Sequence, residues 1–161
     1  MIKKIGSILI ILFLVGCHSI QEEQPTLVYS FKGENEGLSI SNGVIVLSPT
    51  QQILYGGELK NNRGDLLNLL NYSMEFFILS DDGKDVLLVS SVSDMTEGDG
   101  MSINGAKLLP SRSGGTFTTN IQNNIKNNFY FELTIIKTDG DQENYQIKLD
   151  VTEVTKTVID N

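Results

Sequence analysis

From residue 27 onward the chain repeats one pattern, in which short runs rich in Val, Ile, Leu, Phe, Tyr and Thr are broken by Gly, Asn and Asp. Runs of this kind with turn residues between them are typical of the strands of a sandwich or barrel. The predicted strands are 27–32, 38–40 continuing into 44–47, 52–59, 72–80, 85–92, a short piece near 101–109, 116–119, 129–137 and 145–152. Only 65–70 and 121–125 leave room for a helical turn. The pattern therefore predicts an all-β fold, an antiparallel β-sandwich of immunoglobulin-like architecture.

The last two predicted strands form a hairpin whose register can be argued from the sequence. A two-residue Asp-Gly loop would set apolar residues opposite polar ones, which is the error that a one-residue slip produces. A loop of three or five residues centred on Gly140 instead pairs Ile135 with Tyr145 and Leu133 with Ile147. We therefore predict an odd-length loop with one face of the hairpin in the core.

The middle hairpin, 72–80 and 85–92, is apolar on both faces. Pairing Asp81 with Lys84 places Leu87 and Val89 on the core face and leaves a second apolar face made of Phe77, Leu79, Val86 and Leu88. Because one face of an antiparallel sheet is usually polar, something must cover this second face. Two alternatives follow: the leucine-rich segment 66–70 covers it, or it is the binding face for a partner protein.

The N-terminus has the three parts of an export signal. Lys3 and Lys4 precede an unbroken apolar run at 8–15, and Gly16 and Cys17 follow it. A basic start, an apolar run of this length and a small residue at its end indicate a secretory signal. The run is shorter than the roughly 20 apolar residues that a membrane-spanning helix needs.

Leu14-Val15-Gly16-Cys17 resembles the lipobox of bacterial lipoproteins. The resemblance implies cleavage between Gly16 and Cys17 and attachment of diacylglycerol to the Cys17 sulfur. Two acyl chains anchor a protein durably where one would be marginal. We therefore predict a signal peptide at 1–16, a lipidated tether at 17–26 and a β-sandwich domain at 27–161, held at the extracytoplasmic face of the cell membrane.

A second resemblance concerns the first third of the domain. The segments that carry it are Phe31-Lys32-Gly33-Glu34-Asn35-Glu36 followed by Leu38, and Ile53-Leu54-Tyr55-Gly56-Gly57. They are similar to small uncharacterised lipoproteins of Gram-positive bacteria, in which a Gly-Glu-Ser segment precedes a Trp and a Tyr-x-Gly follows. Here Asn35 replaces the Ser and Leu38 replaces the Trp. The resemblance implies an extracellular β-sandwich and no known reaction.

The charge balance restricts the partners of the domain. The formal net charge is −8, and removal of 1–16 with Lys3 and Lys4 lowers it to −10. Nucleic-acid binding needs a basic face, so we expect no nucleic-acid partner. Anionic headgroups would repel so acidic a domain, which leaves the lipid on Cys17 as its membrane anchor. No further cysteine follows Cys17, so the domain contains no disulfide.

Two loops contain residue types found in ligand sites. Asp94, Glu97 and Asp99 are weak candidates for a cation such as Ca²⁺, but their spacing does not match an EF-hand loop, so a solvated acidic loop and no metal are predicted. The segment from Ser111 to Gly115 contains small residues and a cation. A phosphate cradle requires a helix after such a loop, and because none is predicted we interpret the segment as a turn-rich connection.

The residue types favour binding over catalysis. The only histidine, His18, lies in the tether, so the domain lacks the usual base near neutral pH, and we predict no catalytic residue and no cofactor. The expected function is a binding or accessory module for an envelope or surface protein. The alternative is a carboxylate- or metal-dependent hydrolase of envelope glycans. A third possibility is that the signal peptide, through 11–16, is released as a hydrophobic pheromone like those of some Gram-positive cocci.

Overall fold

The computed structural model describes residues 25–93, 100–114 and 119–155. These residues form eleven strands and one short helix, which confirms the all-β fold. The strands are β1 (Leu27–Glu34), β2 (Leu38–Leu47), β3 (Gln52–Tyr55), β4 (Glu58–Asn61), β5 (Leu69–Ser80), β6 (Gly83–Ser93), β7 (Ala106–Leu108), β8 (Ser111–Ser113), β9 (Phe129–Lys137), β10 (Gln142–Lys148) and β11 (Asp150–Glu153), and the helix is α1 (Thr119–Asn128). Within the described ranges, no helix has the length and hydrophobicity to cross a membrane.

The strands form two antiparallel sheets. Sheet A has the order β11-β1-β2-β3-β8, with β4 beside β2 and β7 beside β4. Sheet B has the order β10-β9-β5-β6. The chain passes from β10 in sheet B to β11 in sheet A through Leu149, whose N–H donates to the Phe129 carbonyl at 2.9 Å. The predicted strand 145–152 is therefore divided between the two sheets.

The two sheets share one core, in which aromatic rings contact each other across the sheets. Phe31 of sheet A lies with its ring centroid 5.7 Å from that of Phe76 and 5.1 Å from that of Phe129, both of sheet B. Edge-to-face pairs of this kind contribute about 0.5–1.5 kcal/mol beyond their burial. Alternation along β1, β5 and β9 places these rings on the inner face, and this explains why the hydrophobic pattern predicts those strands well.

A row of bulges crosses sheet A. It interrupts β2, separates β3 from β4 and separates β7 from β8, all at the same level of the sheet. Val44 pairs with Tyr55 and Ser41 with Glu58, while Tyr55 pairs with Ser111 and Glu58 with Leu108. The two residues left between these pairs on each strand are Asn42-Gly43, Gly56-Gly57 and Leu109-Pro110, which we call the bulge row. They remain in register, because Gly56 donates to Pro110 and Leu109 donates to Gly57.

The bulge row reverses which residues face the core. Ile40 and Ile45 are both buried although they are five residues apart, and the same holds for Leu54 and Leu59. In an uninterrupted strand, residues an odd number apart lie on opposite faces. Gly57 has a φ of 81°, and a Cβ there would lie 2.2 Å from the Ser41 carbonyl oxygen. The prediction of one strand over 52–59 was therefore wrong, and two strands with a bulge replace it.

Helix α1 closes one end of the core, beside the beginning of β1. Ile125 is fully buried in the core, and Lys126 Nζ lies 2.7 Å from a carboxylate oxygen of Glu153. The sequence predicted no more than a turn at 121–125, because the segment is rich in Asn, a weak helix former. Burial of Ile125 overrides that propensity. The predicted strand 116–119 falls mostly outside the described residues, and Thr119 begins the helix.

The β9–β10 hairpin confirms the predicted odd-length loop. Lys137 donates to the Asp141 carbonyl at 2.9 Å, which leaves a three-residue loop between them. The pairs are Tyr145 with Leu133 and Ile147 with Phe131, so the predicted register is displaced by two residues. A shift of two residues preserves the faces, and the apolar residues still oppose each other.

Candidate functional site

The β5–β6 hairpin, which contains the predicted partner face, has a different register from the predicted one. Ser80 pairs with Gly83, so Asp81 and Asp82 alone form the loop and the predicted pairing of Asp81 with Lys84 was wrong. Farther from the turn, Phe77 pairs with Val86 but Phe76 pairs with Leu88. The extra residue on β6 is Leu87, which forms a β-bulge.

The bulge exchanges two side chains between the faces of sheet B. Leu88, predicted on the second apolar face, is 8% exposed and belongs to the core. Val89, predicted on the core face, is 57% exposed. The placement of Leu88 was therefore wrong, because one inserted residue reverses the alternation beyond it.

Phe77 lies on the outer face of sheet B and is nevertheless buried, with 1% exposure. The ring of Tyr130 stacks on it at a centroid distance of 5.6 Å, and Lys84 Nζ lies 4.1 Å from its centroid. A cation above an aromatic ring is stabilised by the ring quadrupole. Tyr130 and Lys84 therefore cover this part of the face.

The leucine-rich segment 66–70 does not provide that cover. Leu66 and Leu69 are fully buried in the core between the sheets, where Leu69 begins β5 and its N–H donates to Met101. Leu67 and Leu70 are 43% and 47% exposed. The first of the two alternatives from the sequence was therefore wrong in its residues, because Leu66 and Leu69 pack in the core and Leu67 and Leu70 are exposed.

Lys84 joins two carboxylates on the outer face of sheet B. Its Nζ lies 2.6 Å from Glu75 Oε2 and 3.2 Å from Glu132 Oε1, and Glu75 and Glu132 are cross-strand neighbours. Partial burial alone would lower the pKa of Lys84, but the hydrogen bonds and charges of the two carboxylates raise it overall. Lys84 therefore stays protonated and offsets the repulsion between the glutamates.

Exposed apolar side chains surround the covered ring. Leu79 is 38% exposed and Val86 41% exposed, and Val89 continues the patch along β6. We call Phe77, Leu79, Val86 and Val89 the Phe77 face. The charged residues around it are Lys84, Asp81, Asp82, Glu75 and Glu132. One lysine among four carboxylates gives the Phe77 face an acidic rim.

Arg112 connects sheet A to the edge of sheet B beside this face. It lies on β8, and its Nη1 donates to the Leu87 carbonyl oxygen at 2.7 Å. The prediction of a turn-rich connection at 111–115 was wrong for Ser111–Ser113, which pair with β3. A helix does follow, beginning at Thr119. Arg112 therefore links the two sheets by a hydrogen bond from its side chain to the backbone of β6.

The remaining predicted site residues lie outside the described residues. They are Gly16 and Cys17, predicted for cleavage and lipidation, and Asp94, Glu97 and Asp99, weak candidates for a cation. In the described ranges, no group of three or more His, Cys, Asp or Glu side chains lies close enough to hold a metal ion.

Tyr130, Val89 and the Lys84–Glu75–Glu132 cluster were not predicted as part of the site. Alternation along β5 and β9 places Glu75, Glu132 and Tyr130 on the outer face, but only the pairing of β5 with β9 brings them together. No protein-family model matches the chain, and neither a curated protein sequence nor a solved structure matches it. The arrangement of side chains therefore carries the functional argument.

Proposed function

We propose that the chain is a lipid-anchored binding or accessory module at the extracytoplasmic face of the cell membrane, and that it binds a protein partner through the Phe77 face. The observation that carries the proposal is the exposed apolar patch of Leu79, Val86 and Val89 around a fully covered aromatic ring. Side chains of this size gain free energy by leaving water, so contiguous exposed patches mark interaction sites. The lipobox at Leu14-Val15-Gly16-Cys17 supports the location.

The acidic rim specifies the chemistry of the partner. Asp81 and Asp82, in the turn between β5 and β6, are exposed beside the patch. Complementary charge across an interface steers the encounter and suppresses wrong partners. β6 is also an edge strand of sheet B, although Arg112 already occupies its Leu87 carbonyl. The partner that fits is a basic, extended segment of an envelope or surface protein with apolar side chains for the patch.

The alternative function, hydrolysis of envelope glycans, needs two carboxylates that face a cleft. Glu75 and Glu132 are the nearest such pair on this face, and both bind the Lys84 ammonium. One oxygen of each carboxylate is therefore already taken up by an ion pair with Lys84. This arrangement favours the binding module.

The same proposal includes the immunoglobulin-like architecture of the domain. It is supported by two antiparallel sheets around one core and by the passage of the chain between the sheets at Leu149. Strands that change sheet are typical of Greek-key sandwiches. An experimental structure with a different strand order would contradict it.

Site-specific photo-crosslinking in living cells tests the partner face. A photoreactive residue at Val86 or Val89 of the full-length chain should give the same protein adduct, and one at the exposed but distant Leu67 should not. Asp82→Lys, combined with the photoreactive residue at Val86, should reduce the adduct, because it reverses a charge of the rim. An identical adduct pattern at Leu67, or none at Val86 and Val89, would overturn the partner face.

The anchor is tested independently. Cys17→Ala should shift the full-length chain from the washed membrane fraction to the soluble fractions, because no diacylglycerol can be attached. Cys17→Ala protein that is processed normally and stays with the membrane would overturn the anchor and leave the crosslinking result intact.

A further inference from the structure

The outer face of sheet A contains a surface on which none of the described residues has a charged side chain. It consists of two cross-strand rows on the side of the bulge row where β1 begins. Val154 donates to the Val28 carbonyl at 2.7 Å and so extends the first row beyond β1. The first row is Val154, Val28, Val46, Ile53 and Ser113, and the second row is Thr152, Ser30, Val44, Tyr55 and Ser111. We call these ten residues the uncharged face.

The other half of the same sheet surface is charged. Beyond the bulge row, the outward side chains include Lys32, Glu34, Glu58, Lys60 and Asp150. The domain carries a formal charge of −10 once 1–16 are removed. Ten adjacent neutral side chains therefore differ strongly in charge from the rest of the domain. Much of the face is also apolar, since Tyr55 and Val154 are 48% and 54% exposed and the valines beside them are partly exposed.

The uncharged face lies where the predicted tether joins the domain. Val28 follows Pro25 by three residues, and nine residues run from Cys17 to Pro25. A chain of that length reaches at most about 30 Å when fully extended. A lipid on Cys17 would therefore hold the uncharged face within reach of the bilayer at a high effective concentration.

We propose that the uncharged face rests on the lipid bilayer, which is its binding partner; this inference depends on the proposed lipid anchor. Neutral side chains avoid the repulsion that anionic headgroups exert on the rest of the domain. Valine and isoleucine side chains leave water at the interface, and tyrosine prefers that depth because its ring is apolar and its hydroxyl is polar. Serine and threonine hydroxyls bind headgroup oxygens or water.

This orientation has a consequence for the partner face. The uncharged face is the outer surface of sheet A, and the Phe77 face is the outer surface of sheet B. With sheet A on the bilayer, sheet B points away from it. The Phe77 face is then presented to proteins of the envelope.

Tryptophan fluorescence tests the contact, because the chain contains no tryptophan. The full-length lipidated protein with Tyr55→Trp is reconstituted into phosphatidylcholine vesicles, with and without phosphatidylglycerol. The expected result is a blue-shifted emission that acyl-chain-brominated lipids quench. Lys60→Trp, on the charged half of the same sheet surface, is the matched control and should show neither effect.

The outcomes separate this inference from the anchor and from self-association. If the Tyr55→Trp protein floats with the vesicles while its indole emission remains unquenched, the bilayer contact is overturned and the anchor stands. If the Tyr55→Trp protein does not float with the vesicles, the anchor is overturned, and the bilayer contact that depends on it is overturned as well. A blue shift that rises with protein concentration in detergent, without vesicles, would assign the face to a second copy of the chain and overturn the proposal.

Discussion

Arg112 Nη1 donates a hydrogen bond of 2.7 Å to the Leu87 carbonyl oxygen. Arg112 lies on β8 at the edge of sheet A, and Leu87 is the bulged residue of β6 at the edge of sheet B. One side chain therefore joins the two sheets at their shared side. Leu87 itself has no cross-strand partner in the ladder of β5 and β6.

Arg112→Met should destabilise the domain by about 1–3 kcal/mol, because the carbonyl of the buried Leu87 loses its charged donor. Urea unfolding measures the change. Arg63→Met is the matched control, since Arg63 pairs with the largely exposed Glu36 and such pairs contribute about 0–1 kcal/mol. Equal losses of unfolding free energy in the two variants would contradict a structural role for the hydrogen bond between Arg112 and Leu87.

Gly43→Ala should destabilise the domain by about 2 kcal/mol or more, because a Cβ at Gly43 would lie 2.1 Å from Phe31 Cε2. The ring has little room to move, since it also contacts Phe76 and Phe129. At Gly37 the nearest atom to a Cβ is Arg63 Cδ at 3.3 Å, a flexible side chain. Gly37→Ala should therefore change the unfolding free energy little, and thermal unfolding of both variants checks the difference.

Phe77→Ala should lower stability by about 3 kcal/mol, because the ring is 1% exposed beneath Tyr130 and Lys84. Val86→Ser, at a side chain that is 41% exposed, should stay within about 0.5 kcal/mol of the parent. Val86 and Val89 are therefore the positions at which binding can be tested without unfolding. A small loss for Phe77→Ala in urea unfolding would show that the ring is not packed as described.

Tyr145 should lose its proton at a higher pH than an ordinary tyrosine does. Burial, followed by its hydrogen bond to Glu143, raises the pKa of Tyr145 to about 12 from an ordinary value of 10.0. Because the folded state holds this proton more tightly than the unfolded state, the stability it contributes is complete below pH 10 and is lost between pH 10 and about 12. The difference in tyrosinate absorbance between the parent and Tyr145→Phe should have its midpoint near the raised pKa of about 12.

Glu143→Gln is the control for that titration. It removes the acceptor charge but not the burial, so the midpoint of Tyr145 should fall while staying above 10.0. A parent midpoint at the ordinary value of 10.0 would contradict the contact between Tyr145 and Glu143.

Strict alternation made some elements predictable from sequence. β9, Phe129–Lys137, has the predicted bounds because its phenylalanine, leucine and isoleucine side chains alternate without interruption. The same alternation places Glu132 and Tyr130 on the outer face. The strand pairing that brings Glu75 beside Glu132 depends on contacts between distant segments, which periodicity does not contain.

Elsewhere the sequence pattern did not predict the structure, at a bulge and at a helix. Leu87 adds one residue to β6 and moves Leu88 into the core, although nothing in that apolar run marks the change. Helix α1 forms in an Asn-rich segment because the core accepts Ile125, and the sequence around Ile125 gives only weak helical signals. In both places tertiary packing outweighs the local pattern.

The three members of the bulge row constrain how the sequence can change in length. Asn42-Gly43, Gly56-Gly57 and Leu109-Pro110 lie side by side on adjacent strands. Deleting one residue from a single strand would move the core-facing side chains of half of that strand to the solvent face. The neighbouring strands would keep their faces. Gains and losses of residues at this level of sheet A should therefore occur in all three strands together, so that a related chain shortened at one of them is shortened at the other two.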